Sequence, residues 1–333
     1  MEQARAHNRK HNKLVRRCLM AALPLALGLA TITSGAGASP RVHSETNPVN
    51  ASWPTSLILA SVGEENATSL LQSLAPLQDV FKKELGLSLK VYTGTSYAAD
   101  IEAQEAGKAQ IVEYGPFSYV IAYYFQHLKI ESVGVELDAP HTNGGYWSYG
   151  VVDPQRTPDI TSVKDFAGKK VCFSDPSSTS GYLYPTYGLL LAGINPTTGI
   201  TPVFAGTDST TAIDVAKGSC QVGYTNNFNL PEVFSQNHIP RSELKIVWTS
   251  PEIPGNPVGV SDSVPASLRA AMEKVLVNDA NSNYFVAHGY CSSVTQCDNL
   301  TGQWGFGPPS DANYSAVLKV CQITKAPTCK LSS

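Results

Sequence analysis

The sequence predicts an α/β protein built as two lobes with a ligand cleft between them. Three observations predict it. The chain has 333 residues, 42% hydrophobic and 15% charged, which is enough for two cores. From residue 56 onward strand-like and helix-like runs alternate, the order of a parallel sheet wrapped by crossover helices. The alternation then restarts after residue 150, with chain crossings expected near Ser148 to Val152 and Pro254 to Val260.

The first 38 residues read as a secretory signal outside the fold. Arg5, Arg9, Lys10, Lys13, Arg16 and Arg17 precede the apolar run "CLMAALPLALGLATI", and "AGA" offers a cleavage site before Ser39. An uncleaved anchor is the alternative, but the apolar run is short. Cys18 precedes that run, the wrong place for a lipid-bearing cysteine, and the surroundings of Arg16-Arg17 do not support twin-arginine export. Residues 39–55 form a loose lead.

The first lobe is expected to comprise residues 56–148 plus 258–320. "SLILASV" reads as a strand, and "ATSLLQSLAPLQDVFKKELG" as a helix stopped by Gly86. "LSLKVYTG" is the next strand, "SYAADIEAQEAGK" a helix and "AQIVEYG" a strand. The second lobe, 149–257, follows as strand "YGVVD", short helix "SVKDFAG", strand "KKVCFSD", helix "YLYPTYGLLLAG", strand "TPVFAG", helix "STTAIDVAKG", strand "CQVGYTN" and strand "LKIVWTS". "PASLRAAMEKVLVNDAN" is an amphipathic helix back in the first lobe, and a loop-rich, disulfide-bearing tail ends the chain at 321–333.

Composition excludes some functions. A net charge of −3 argues against nucleic acid or an anionic membrane as the main partner. Setting Cys18 aside leaves Cys172, Cys220, Cys291, Cys297, Cys321 and Cys329, an even set that reads as disulfides with fifteen formal pairings. Local pairs Cys291–Cys297 and Cys321–Cys329 would staple C-terminal loops and leave Cys172 with Cys220. No CxxC or paired-histidine spacing supports a zinc site.

The stretch "SDPSSTSGYLYP" carries the chemistry. It lies where a strand ends and a helix begins, so unpaired first-turn N–H groups and the helix dipole favour an oxyanion there. Ser178, Thr179 and Ser180 add hydroxyl donors, and no Lys or Arg occurs between Lys170 and Lys217. An ordinary N-cap is the plainer reading of the same residues.

On "GTSYAADIEAQEAGKAQIVEYGPFSYV", "GGYWSYGVV", "SVKDFAGKKVCFSDPSSTSGYLYP", "CQVGYTNN", "VWTSPEIPGNPV" and "WGFGPPSDANY", the chain resembles the phosphonate, phosphite and phosphate substrate-binding proteins of ABC importers across residues 56 to 318. The resemblance implies a bilobal, hinge-closing periplasmic-binding-protein fold of type II, a small oxyanion ligand and an importer permease as partners, and a monomer without cofactor or metal. The family's anion donors fall on Ser178, Thr179 and Ser180. Its aromatic positions fall on Tyr97, where Ser96 replaces the usual preceding acid, and on Tyr146.

Three departures concern the far end of the ligand. Asp208 stands in a histidine position, Phe228 in a glutamate position and Asn256 in an acid position. Losing those two carboxylates removes the obvious partners of a ligand ammonium. Asp208 would accept a hydrogen bond from a protonated oxyanion and act as a protonation filter, or else merely cap the "STTAIDVAKG" helix. Another zwitterion or a sulfonate is the alternative ligand. A secreted phosphate-ester hydrolase is the alternative of another class. Its support is thin: "SELK" and "SDS" lack the accompanying K-T-G, and there is no G-x-S-x-G, H-E-x-x-H or P-loop.

Overall fold

A computed structural model describes residues 52–62, 67–142, 144–236, 239–310 and 314–329. The expected signal, residues 1–38, lies outside them. No helix among the described residues is long and apolar enough to cross a membrane.

The first set of elements runs β1 (Ser56–Val62), α1 (Ala67–Leu85), β2 (Ser88–Gly94), α2 (Tyr97–Glu105), β3 (Ile111–Glu113), α3 (Pro116–Val120) and β4 (Ile130–Leu137). The second runs β5 (Ser148–Val152), β6 (Lys170–Phe173), α4 (Tyr184–Leu191), β7 (Thr201–Phe204), α5 (Asp208–Ala216), β8 (Val222–Asn226), α6 (Asn229–Gln236) and β9 (Lys245–Thr249). The chain then returns through β10 (Pro257–Ser261), α7 (Ala266–Asp279), α8 (Ser282–Ala287), α9 (Val294–Thr301), β11 (Gly305–Gly307) and α10 (Ser315–Thr324). Local chemistry explains the boundaries. Gly86 takes φ +67 just past α1, a conformation that costs glycine little, and Ser96 caps α2 by accepting the Ala99 N–H at 3.2 Å.

Two sheets result, ordered β11-β4-β10-β3-β1-β2 and β7-β6-β8-β5-β9. Both are mixed, not parallel as the strand–helix alternation implied. β1 pairs in parallel with β2 and β3, whereas β10 and β11 run antiparallel to their neighbours and β5 runs antiparallel to β8 and β9. The reversed strands are those that follow each crossing. The crossings touch: Tyr146 and Ile253 exchange backbone hydrogen bonds, both at 2.8 Å. A short antiparallel bridge thus ties the two strands of chain that join the sheets.

Each sheet has its own core, with Leu59, Phe81 and Met272 in the first and Phe166, Phe173 and Tyr224 in the second. A further cluster reaches from one to the other, where Leu183 and Tyr184 pack with Phe117, Tyr314 and Val317. Tyr314 and Val317 belong to α10 and the residue that precedes it. The tail expected at 321–333 begins inside α10, and the stretch before it carries helices of six to ten residues, too short to show a sustained apolar period. The disulfides are Cys172–Cys220, Cys291–Cys297 and Cys321–Cys329.

Candidate ligand site

The carboxyl ends of β1, β3 and β8 and the turn that follows β6 face a cleft of about 440 Å³. Its lining includes Tyr97, Tyr146, Ser180, Phe228 and Asn256, five of the eight residues expected at the site. Among the described residues no Lys, Arg or His lines the cleft; neutral groups and acids do.

The hydroxyl turn divides its labour. Ser178 takes the plain role of helix cap, its Oγ accepting the Gly181 N–H at 3.0 Å. That leaves the N–H groups of Thr179 and Ser180 as the free donors of the first turn, by ordinary helix geometry. Thr179 reaches the other sheet: its Oγ1 accepts the Phe117 N–H at 2.8 Å, at the start of α3. Only Ser180 of the three lines the cleft. Its carbonyl accepts the Ser148 hydroxyl at 2.6 Å, which pins the turn to β5.

Asp208 is not the cap of α5; Thr207 is, accepting the Thr210 N–H at 3.1 Å. The Asp208 side chain instead lies buried behind the cleft wall, where Oδ2 accepts the Ser180 hydroxyl at 2.7 Å and the Asn226 amide at 2.8 Å. Burial raises its pKa, and the hydrogen bonds from Ser180, Ser174 and Asn226 oppose the rise. Gly181 is required here, because a Cβ would collide with Ser174 and with the Asp208 carboxylate. Asn226, which sequence reasoning passed over, is held from both ends: its Oδ1 accepts the N–H groups of Phe228 and Asn229, both at 2.9 Å. The signal was an Asn closing a strand and opening a helix, a local motif common enough to go unnoticed.

Two aromatics close the wall. Tyr146 is buried, and its phenol is pushed up first by burial and then by the neighbouring Asp208. The Phe228 ring lies against it with centroids 5.8 Å apart. Tyr97, at the start of α2, borders the cleft near Gly115, where a Cβ would sit 3.5 Å from both its ring and the Thr179 hydroxyl.

The opposite wall holds acids that sequence reasoning missed. Glu113 ends β3 and Glu136 lies on β4, on either side of β10 in the sheet order. Asn256, just before β10, sits between them: its carbonyl accepts the Glu136 N–H at 2.9 Å, and its Nδ2 donates to Glu136 Oε2 at 2.8 Å. Desolvation lifts the Glu136 carboxyl well above the usual carboxylate range, and Glu113 beside it lifts it further. The cleft that Ser180 lines therefore does carry carboxylates, although the positions now held by Phe228 and Asn256 do not supply them.

Two lobes of mixed α/β structure with paired crossings and a cleft at the strand ends define a bilobal binding protein of type II architecture. Residues 60–314 match the family described as ABC transporter, phosphonate, periplasmic substrate-binding protein, and the chain belongs to that family. The phosphate-import protein PhnD of Mycolicibacterium smegmatis is 30% identical over 310 residues, covering 91% of this chain and 95% of its own. The phosphonates-binding periplasmic protein of Escherichia coli is 26% identical over 201 residues, covering 59% of this chain and 58% of its own. Among solved structures, PhnD1 of Prochlorococcus marinus in complex with methylphosphonate superposes with a TM-score of 0.69 at 17% identity, covering 82% of this chain and 99% of that one. The chain is thus the substrate-binding component of an ABC importer, and its family is one of transport proteins.

Proposed function

We propose that this chain captures a small phosphorus oxyanion, either phosphate, phosphite or a phosphonate, and hands it to a membrane permease. The observation that carries this reading is the convergence of Ser180 and Tyr146 on a cleft whose lining holds no cation among the described residues. Neutral donors then hold the anion: the N–H groups of Thr179 and Ser180 and the hydroxyls of Tyr146 and Tyr97. Ser178 and Thr179 shape the turn, and Asn256 and Phe228 bound the far side.

Asp208 acts through Ser180. Because the Ser180 hydroxyl donates to Asp208, its outer lone pairs are left to accept a proton from the ligand. This makes the turn selective for a protonated oxyanion, with Asp208 as a positioning residue.

Closure brings lobe 56–148 plus 258–320 onto lobe 149–257 about the Tyr146–Ile253 bridge. Thr179 on Phe117 is a contact of the closed form, and a ligand stabilises that form only by touching both lobes. The chain is exported, freed by cleavage before Ser39, and works as a monomer that the permease reads when closed. Calorimetric titration with phosphate, phosphite, methylphosphonate and sulfate tests the reading. Binding of one phosphorus oxyanion at micromolar Kd or tighter supports it. Failure of all of them at about 1 mM, roughly 4 kcal/mol, refutes it.

A further inference from the structure

Pro185 leaves a gap in the helix that carries the hydroxyl turn, and a serine of the crossing fills it. Thr179–Leu183 form one wide, π-helical turn that runs directly into α4. In that register each N–H reaches the carbonyl five residues back: Leu183 donates to Ser178 at 3.0 Å, and Tyr184 donates to Thr179. The next N–H in the series would come from residue 185 and serve Ser180, but Pro185 has none. The Ser180 carbonyl is buried, so it needs a donor from elsewhere, and it takes the Ser148 hydroxyl at 2.6 Å. Gly181, four residues before the proline, also turns outside the helix and accepts the Ser174 N–H at 3.2 Å.

Ser148 presents its hydroxyl from a fixed frame. It is fully buried at the start of β5, where its N–H donates to Ser250 Oγ and its carbonyl accepts the Ser250 N–H, both at 2.9 Å. The two residues before it are tied as well: the Trp147 N–H donates to Asn227 Oδ1 at 2.8 Å, and Tyr146 forms the bridge to Ile253. Across the β5–β8 pair Ser148 stands opposite Asn226, whose amide donates to Asp208, the acceptor of the Ser180 hydroxyl. Two paired residues of neighbouring strands thus secure Ser180, one at its carbonyl and the other through the acid that holds its side chain.

Resting on the function proposed above, the structure assigns Ser148 as a positioning residue for the anion turn. Ser148 does not line the cleft and acts through Ser180. By occupying the Ser180 carbonyl it keeps the Tyr184 N–H on Thr179, five residues back, and so holds the turn in its wide register. Without that hydroxyl the Tyr184 N–H moves to Ser180, four residues back, which satisfies the buried carbonyl in the ordinary α register. The turn then winds tighter, and the Ser180 hydroxyl and N–H swing away from the cleft.

Calorimetric titration of the full chain with phosphate, phosphite and methylphosphonate tests the assignment in four proteins: wild type, Ser148→Ala, Pro185→Ala and the double variant. A thermal melt checks that each is folded. Ser148→Ala is expected to weaken binding at least about tenfold. Pro185→Ala restores an N–H in the register that serves the Ser180 carbonyl, so in that background Ser148→Ala is expected to cost less than about threefold. A hydroxyl that served packing alone would not be replaced by a donor on another element. Equal losses in both backgrounds therefore overturn the assignment, as does a loss below about threefold in the wild-type background. Ser148→Cys keeps a weaker donor and carries the same comparison if Ser148→Ala does not fold. Wild type that binds none of the three anions refutes the proposed function, and the role of Ser148 with it.

Discussion

The Ser180 hydroxyl donates to Asp208 Oδ2 at 2.7 Å, joining the hydroxyl turn after β6 to the first turn of α5. The acid is buried, and it also accepts the Asn226 amide at 2.8 Å. Asp208 and Ser180 therefore work as one unit.

Ser180→Ala and Asp208→Asn are each expected to weaken phosphate binding at least about tenfold, the size of one hydrogen bond to a charged group. The double variant is expected to lose little more than either single one, because the two share one interaction. Calorimetry on all four proteins checks this. Fully additive losses would show that the residues act independently.

Tyr146 meets the same turn from the crossing. Tyr146→Phe keeps the ring that packs on Phe228 and removes an O–H from the cleft wall that Ser180 also lines. Affinity is expected to fall roughly tenfold with the melting temperature nearly unchanged. By contrast Ser178→Ala removes a helix cap, so it is expected to cost about 1 kcal/mol of stability while affecting affinity less than Ser180→Ala.

The contrast between those residues shows what was legible in the sequence. A run of hydroxyls after a strand marks the turn, but which member faces the cleft depends on the phase of the turn and on what packs against it. Ser178 and Thr179 are consumed by Gly181 and Phe117, partners a linear reading cannot assign. Strands flanked by clear turns were readable, as β1 and β2 show. β4 was not: "IESVGVEL" carries two acids and a glycine, and its helical and strand patterns compete. Glu136 went unseen with it, and Glu113 was seen only as a polar residue in a strand. Their meeting depends on β10 inserting antiparallel between β3 and β4, a matter of tertiary order that no local signal reports.

Stability should depend on pH through Asp100. Its side chain is buried, and neither carboxyl oxygen has a partner among the described residues. Burial first, and Glu113 second, push its pKa up to about 7. An unfolded Asp titrates near 3.9, so between about pH 4 and pH 7 the folded chain holds a proton the unfolded chain has lost. Stability from this group therefore falls as pH rises through that window, by at most about 4 kcal/mol, and levels off above it. Denaturant unfolding at pH 5 and pH 8 checks it: Asp100→Asn should flatten the difference and be the more stable protein at pH 8. An equal pH dependence in both proteins would contradict the assignment.

The Cys172–Cys220 bridge joins the end of β6 to the approach to β8, the two strands that carry the turn and Asn226. It closes a loop with a sequence separation of 48, so the double Cys→Ala variant should lose about 2–4 kcal/mol. Chemical denaturation of the two proteins measures it, and a loss below about 0.5 kcal/mol would show that the bridge is not a stabilising staple.

The central claim is that neutral donors on the turn after β6 hold a phosphorus oxyanion. Calorimetric titration of wild type and Ser180→Ala with phosphate, phosphite and methylphosphonate at pH 7 tests it most directly. The expected result is micromolar or tighter binding of at least one of them by wild type, weakened at least about tenfold in the variant. Wild type that binds none of the three at about 1 mM, or a variant that binds as well as wild type, would contradict it.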